Sequence, residues 1–217
     1  VLTAIGSGLH RLSEISKKTG MEEKGLSYYL NQLIELGYIS KKYPLVFSKP
    51  SSRSVRYVLD DPLLRFWFRF VNPLVGNLMY MGIENVFVSL IRPRLESYFG
   101  ICFEMLCREA LPYIYLKEGV ISQFETGEYW DRRMQIDVVG IRKDRWIDVC
   151  ECKWSSAHSL QSTIKKVLVY CENYPNENNY NIAPRIFLRK RKRSAVVPET
   201  VKVHTLEEIY SLGDESA

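Results

Sequence analysis

A chain of 217 residues with 46% hydrophobic and 25% charged residues has room for one large or two small domains and enough apolar side chains for a true core. Its net charge of +5 permits a nucleic-acid partner without specifying one, because a mild basic excess mostly reports nonspecific electrostatics. No run of eighteen apolar residues and no signal peptide occur, which argues against a membrane span and a membrane partner. The five cysteines, Cys102, Cys107, Cys150, Cys152 and Cys171, include no Cys-x-x-Cys pair and meet only three histidines. Free thiols in a reducing, cytoplasmic compartment are therefore expected rather than a zinc site. The chain opens on Val1 in sequence that reads as a helix interior, as a piece of a longer protein would.

In chain order, Leu12, Ile15 and Ser16 mark one face of a short helix that stops at Gly20, where glycine supplies the sharp turn of a helix-turn-helix. A second helix is predicted over residues 22–36, with Leu26, Tyr29, Leu30, Leu33 and Ile34 as its buried stripe and Gly37 as its C-terminal cap. Residues 38–42 and 56–59 read as two paired strands. The loop between them contains Pro44, Pro50 and Ser51-Ser52.

The stretch LSEISKKTGMEEKGLSYYLNQLIELGYISK, with Leu30, Leu33 and Gly37-Tyr38-Ile39 in rhythm, resembles the winged-helix family. That resemblance covers residues 1–59 and implies that the loop is a wing. Winged helices serve both DNA and protein partners. If DNA is the partner, the second helix would present Lys24, Ser27, Tyr28 and Asn31 to the major groove; otherwise these are solvated residues. Residues 1–60 hold nine Lys/Arg against five Asp/Glu.

Asp61-Pro62 begins a further helix. DDPLLRFWFRFVNP is apolar nearly all round, as in a helix buried on most sides. It is expected to buttress the space between two domains. From Asn77 to Leu111 the pattern stays helical and breaks near Arg92-Pro93. After Pro112 it changes to strands: residues 134–141 and 146–153 are rich in β-branched residues and separated by Arg142-Lys143-Asp144. A helix over 159–173 with Leu160, Ile164, Val167 and Leu168 inside, strands over 185–188 and 201–204, and a frayed tail over 213–217 complete the order. The predicted class is α+β in two domains: 1–60, a 61–92 helical linker, and 93–217, an α/β unit with a mixed sheet.

Charged residues interrupt the apolar strands, and this needs a reason. Glu151 and Lys153 are two apart on one strand and project to the same face. If the preceding strand pairs as a hairpin, Asp137 lands beside Glu151. Two adjacent carboxylates favour a hard cation such as Mg²⁺ or Mn²⁺, and a nearby lysine can polarise water or steady phosphoryl charge. A single E-x-K is more often a solvated ion pair; the apolar setting of Ile136, Val138, Val139, Ile147 and Val149 opposes that reading.

Glu104 on the long helix, Asp137, and Glu151-Cys152-Lys153 together resemble the PD-(D/E)XK, or restriction-endonuclease-like, superfamily. The resemblance implies Asp137 and Glu151 as metal ligands, Lys153 near the nucleophile, and Glu104 as support, with Glu96 and Glu109 as alternatives to it. Ile136 stands where the family usually has proline or another apolar residue. Across nearly the whole chain, DDPLLRFWFRFV, GICFEMLCREAL, QIDVVGI and DVCECKW are similar to the C-terminal region of archaeal predicted P-loop ATPases, in which a winged helix precedes a PD-(D/E)XK-like domain. Gln135 departs from the glutamate common there. The resemblance implies an upstream ATPase module as partner, since no Gly-x-x-x-x-Gly-Lys-Ser/Thr loop occurs in this sequence.

The basic run from Arg185 to Arg193, including Arg189, Lys190 and Arg191, is a candidate phosphate-contacting edge or a solvated loop. His158 receives no catalytic role, and Trp130, Trp146 and Trp154 read as packing residues. The leading expectation is a DNA-associated, metal-dependent nuclease-like protein. A catalytically inactive DNA-binding or regulatory module, and a winged helix used for homo-oligomerisation, stand beside it.

Overall fold

The computed structural model describes residues 1–155, 159–191 and 196–214. His158, Lys192, Arg193 and the last three residues of the tail lie outside the described residues. The chain divides into two compact units: residues 1–43 with 51–98, and residues 44–50 with 99–217.

The first unit begins with three helices, α1 (Leu2–Gly6), α2 (Leu12–Thr19) and α3 (Glu23–Glu35), followed by β1 (Ser40–Lys42) and β2 (Arg56–Val58) in an antiparallel pair. Gly20 and Gly37 end α2 and α3 with positive φ values of 69° and 74°, as their sequence positions predict. The core gathers Ala4, Ile5, Ile15, Leu26, Leu30, Ile39, Tyr57 and Leu59. Tyr29, predicted inside, is 49% exposed, because the stripe that faces the core needs only Leu26 and Leu30 at full burial and Leu33 and Ile34 at its edge. The predicted wing loop is not a free tip. Residues 44–50 belong to the second unit, where the Leu45 N–H donates to the Glu128 carbonyl at 2.7 Å and the Tyr174 hydroxyl donates to the Leu45 carbonyl at 2.8 Å.

Asp61 caps α4 (Pro62–Phe66) by accepting from the Leu64 N–H. Two prolines shape the helical segment beyond it. Pro73 and Pro93 have no N–H for the carbonyl four residues back, and the turn ahead of each widens into a π-helix, Trp67–Val71 and Phe87–Ile91. Their closing N–H groups, Asn72 and Arg92, reach carbonyls five residues back, at Trp67 and Phe87. Between them lie α5 (Val75–Met81) and α6 (Ile83–Val86). The segment is not buried all round: Phe70 is inaccessible, but Leu63 is 72% and Trp67 46% exposed.

The second unit is built on a sheet of order β3-β4-β5-β6-β7, with β3 (Phe124–Trp130), β4 (Gln135–Arg142), β5 (Trp146–Lys153), β6 (Asn181–Leu188) and β7 (Lys202–Thr205). The first three strands run antiparallel and the last two join in parallel, so the sheet is mixed. The parallel step from β5 to β6 needs a crossover, supplied by α8 (Leu160–Asn173). Helix α7 (Leu95–Lys117) and α9 (Leu206–Asp214) cover one face through Phe103, Leu111, Tyr115 and Ile209; α8 covers the other through Ile164 and Val167. Leu168, predicted inside, is 39% exposed. Helix α7 also runs through Pro112 rather than ending there. Leu111, Ile114 and Tyr115 continue its buried stripe across the proline, which outweighs one lost hydrogen bond.

Candidate functional site

Asp137 sits at a defect in the sheet. Gly127 of β3 pairs with Val139 of β4, but Tyr129 pairs with Ile136, so Glu128 alone opposes both Asp137 and Val138. This is a β-bulge, a device that re-aims side chains and recurs beside active sites. As a result Ile136 and Val139 both face the α8 layer while Val138 faces α7. Asp137, in the bulge, is nearly buried and accepts a hydrogen bond from the Cys152 N–H at 2.9 Å.

That bond ties Asp137 to the strand that carries Glu151. Glu151 is fully buried. Its Oε1 receives two ammonium groups, Lys153 Nζ from the same strand and Lys166 Nζ from α8, the latter at 2.7 Å. Its Oε2 is buried with no hydrogen-bond partner among the described residues. A bare buried carboxylate oxygen is costly, and both lysines meet the other oxygen.

Glu104 faces the same group of charges from α7. Burial, then the negative charges of Asp137 and Glu128, push its carboxyl up to about 8 against an opposing pull from Arg108. Asp137 is raised to about 6, by burial first and then by Glu151. Arg108, one helical turn after Glu104, reaches Glu128 at 3.2 Å and donates to the Asp137 carbonyl at 3.3 Å. Burial works to lower the pKa of Lys166, but its bond to Glu151 prevails and the pKa is raised. Like charges thus crowd one site, where a cation would relieve them. Among the described residues no three His, Cys, Asp or Glu side chains converge closely enough to cage a metal on their own. The alternatives Glu96 and Glu109 are both exposed.

Lys166 is a member of the site that sequence reasoning missed. The sequence carries little signal for it: it sits on α8 beside the buried Ile164 and Val167 but at an exposed position, where a lysine is ordinary. Asp148 is a second such residue. It is fully buried on the α7 face, where Arg185 Nε donates to it at 2.5 Å and the Tyr115 hydroxyl at 2.6 Å. Arg185 also grips Glu118 with two bonds of 2.7 Å. Arg185 is 1% exposed, so it does not belong to a phosphate-contacting edge; its charge is consumed inside the fold. Arg189, Lys190 and Arg191 are exposed beyond β6.

The proposed groove-facing residues of α3 lie in the other unit. Lys24, Tyr28 and Asn31 are exposed. The Ser27 hydroxyl turns back to the Glu23 carbonyl at 2.8 Å, and Tyr28 Oη accepts from Gln32 at 2.9 Å. Exposed Glu23 and Glu35 flank them.

Residues 67–167 match the DUF234 family, described as archaea bacterial proteins of unknown function. The chain is also similar to an uncharacterized protein of Methanocaldococcus jannaschii, 29% identical over 157 residues, which cover 71% of this chain and 35% of that protein. The chain therefore spans about a third of the length of the curated relative it matches. No solved structure matches it. No helix among the described residues is long and apolar enough to cross a membrane.

Proposed function

We propose that the second unit is a PD-(D/E)XK-like domain that hydrolyses DNA phosphodiester bonds with a divalent cation, and that the first unit is a winged helix that docks substrate or partner. The observation that carries this reading is Glu151: one oxygen is held by two lysines and the other is bare, beside a second buried carboxylate on a bulge. The donor set suits a hard ion. Asp137 and Glu151 would hold Mg²⁺ or Mn²⁺, with Glu104 in support; Mg²⁺ commonly takes one or two carboxylates and fills its remaining positions with water and substrate phosphate. When bound, the ion would supply positive charge to the phosphoryl oxygens and acidify a water.

The chain's own groups do the rest. Lys153 Nζ holds a proton on the Glu151 edge of the site and orients water or phosphoryl oxygen there. The Cys152 N–H fixes the Asp137 carboxylate, and the apolar layers on both faces of the sheet exclude bulk water. A P-loop ATPase module as partner is part of the proposal, on the resemblance carried by DDPLLRFWFRFV, GICFEMLCREAL, QIDVVGI and DVCECKW.

A second reading, an inactive DNA-binding or regulatory module, is favoured by one feature: Lys153 and Lys166 already compensate Glu151. Cleavage of labelled duplex, single-stranded and branched DNA with Mg²⁺ or Mn²⁺, against chelator, decides between them. Metal-dependent products that vanish in Asp137→Ala and fall in Lys153→Ala support the enzyme. DNA retained on a gel without products in any condition supports the binding module.

A further inference from the structure

Trp154 follows the proposed lysine directly and sits at the C-terminal end of β5, where ligands of parallel strands collect. It lies among aromatic rings that tilt against it. Its ring lies 5.6 Å from Phe99 and 5.8 Å from Phe103, both on α7. On another side the Arg189 guanidinium lies 4.4 Å from the ring centroid. The backbone fixes Arg189 as well, since its N–H donates to the Lys153 carbonyl at 3.0 Å. Arg189 is exposed, and among the described residues no carboxylate pairs with it. The result is a flat cation over a tryptophan ring, without a carboxylate partner among the described residues, one residue beyond the position that pairs with Lys153.

We infer that Arg189 is a stacking platform for an unpaired nucleobase of a single-stranded nucleic acid, with Trp154 as its support. The chemistry selects the ligand. A planar guanidinium that lies over an aromatic ring on one side can take a second electron-rich plane on its exposed side, and bases stack on arginine and aromatic planes without sequence preference. A phosphate can also be held by the point charge of a lysine, whereas a base needs a flat partner, and the Arg189 guanidinium lies 4.4 Å from the Trp154 ring centroid. The inference rests on the proposed action of this unit on DNA, and it narrows the substrate class: strands with accessible bases, such as ends, gaps or flaps, engage here, and closed duplex does not.

The test is fluorescence polarisation with a labelled eight-nucleotide thymidine strand, the same strand made abasic, and a closed duplex, with thymidine monophosphate as competitor. Wild type is compared with Arg189→Lys, which keeps the charge and loses the plane, and with Lys190→Ala as a charge control. Arg189 is exposed, so its variants are expected to fold; a circular dichroism melt confirms that. The expected result is tighter binding to the base-bearing strand than to the abasic one, a loss of about 5- to 100-fold in Arg189→Lys for the base-bearing strand alone, little change for the abasic strand, and no competition from the monophosphate at micromolar concentration. Equal binding of abasic and base-bearing strands, or an unchanged affinity in Arg189→Lys, overturns the platform while leaving DNA binding intact. Competition by the monophosphate as strong as by the strand overturns the strand as ligand. No affinity for any nucleic acid overturns both the platform and the proposed function.

Discussion

Glu104 gives the acidic site a measurable signature in the absence of metal. Burial and the Asp137 and Glu128 charges raise its carboxyl from 4.5 to about 8. Its folded pKa thus lies above its unfolded one, so its contribution to stability is complete below about pH 4.5 and is lost as pH rises through about 8. Between those limits the folded state holds a proton that the unfolded chain has released. At roughly 1.4 kcal/mol per pKa unit the upper bound is about 5 kcal/mol; partial exposure and a proton shared with Asp137 reduce this to a few kcal/mol. In a chain of this size each kcal/mol moves Tm by about 2–4 °C, so a fall on the order of 10 °C attributable to this site is expected from pH 5 to 8.5 in chelator. The assay is thermal unfolding of wild type and Glu104→Gln across that range. The glutamine variant should keep the Asp137 decline up to about pH 6, lose the decline above it and be the more stable protein at pH 8.5, and saturating Mg²⁺ or Mn²⁺ should flatten the wild-type curve. Parallel curves for the two proteins in chelator would refute the reasoning.

Two further predictions concern the α7-covered face of the sheet, at Gly140 and Asp148. A Cβ added at Gly140 would lie 2.0 Å from the Tyr115 hydroxyl and 3.1 Å from Leu111, and that hydroxyl is bonded to Asp148. Gly140→Ala should therefore cost about 1–3 kcal/mol through overpacking, measured by urea unfolding; an unchanged midpoint would show that Tyr115 relocates freely. Arg185→Leu strips Asp148 and Glu118 of their shared partner and should cost about 3–5 kcal/mol, because the buried Asp148 carboxylate is left without its main compensation. A loss under about 1 kcal/mol would mean that Lys202 and Arg142, which also approach these acids, take over the charge.

The elements that a sequence displays best are those with one strong period. Helix α3 and the strands around Asp137 and Glu151 are legible for that reason, as is the alternation that puts Glu151 and Lys153 on one face. Strand β3 is not. Its residues, FETGEYW, mix charge, glycine and aromatics because it is an edge strand and pairs on only one side. Helix α9 lies in a stretch that reads as an ending, and only the sheet explains why Leu206 and Ile209 are apolar. The segment from Asp61 is apolar nearly all round in sequence, so nothing in its composition marks Leu63 and Trp67 as the exposed ones. In the site, the bulge at Asp137 depends on how β4 registers with β3, which no local pattern encodes. Lys166 and Asp148 are hidden differently: each reads as an ordinary surface charge until its partner, Glu151 or Arg185, arrives from a distant element. The cluster of basic residues near β6 shows the reverse error, for sequence groups Arg185 with its neighbours although a strand separates buried from exposed positions.

The most direct test of the proposed metal site is equilibrium binding of Mn²⁺, followed by electron paramagnetic resonance, to wild type, Asp137→Ala and Lys166→Met. Saturable binding by wild type and its loss in Asp137→Ala, with Lys166→Met still able to bind, is the predicted result. Wild-type protein that takes up no Mn²⁺, or an Asp137→Ala variant that binds as tightly as wild type, would contradict the assignment of Asp137 and Glu151 as ligands.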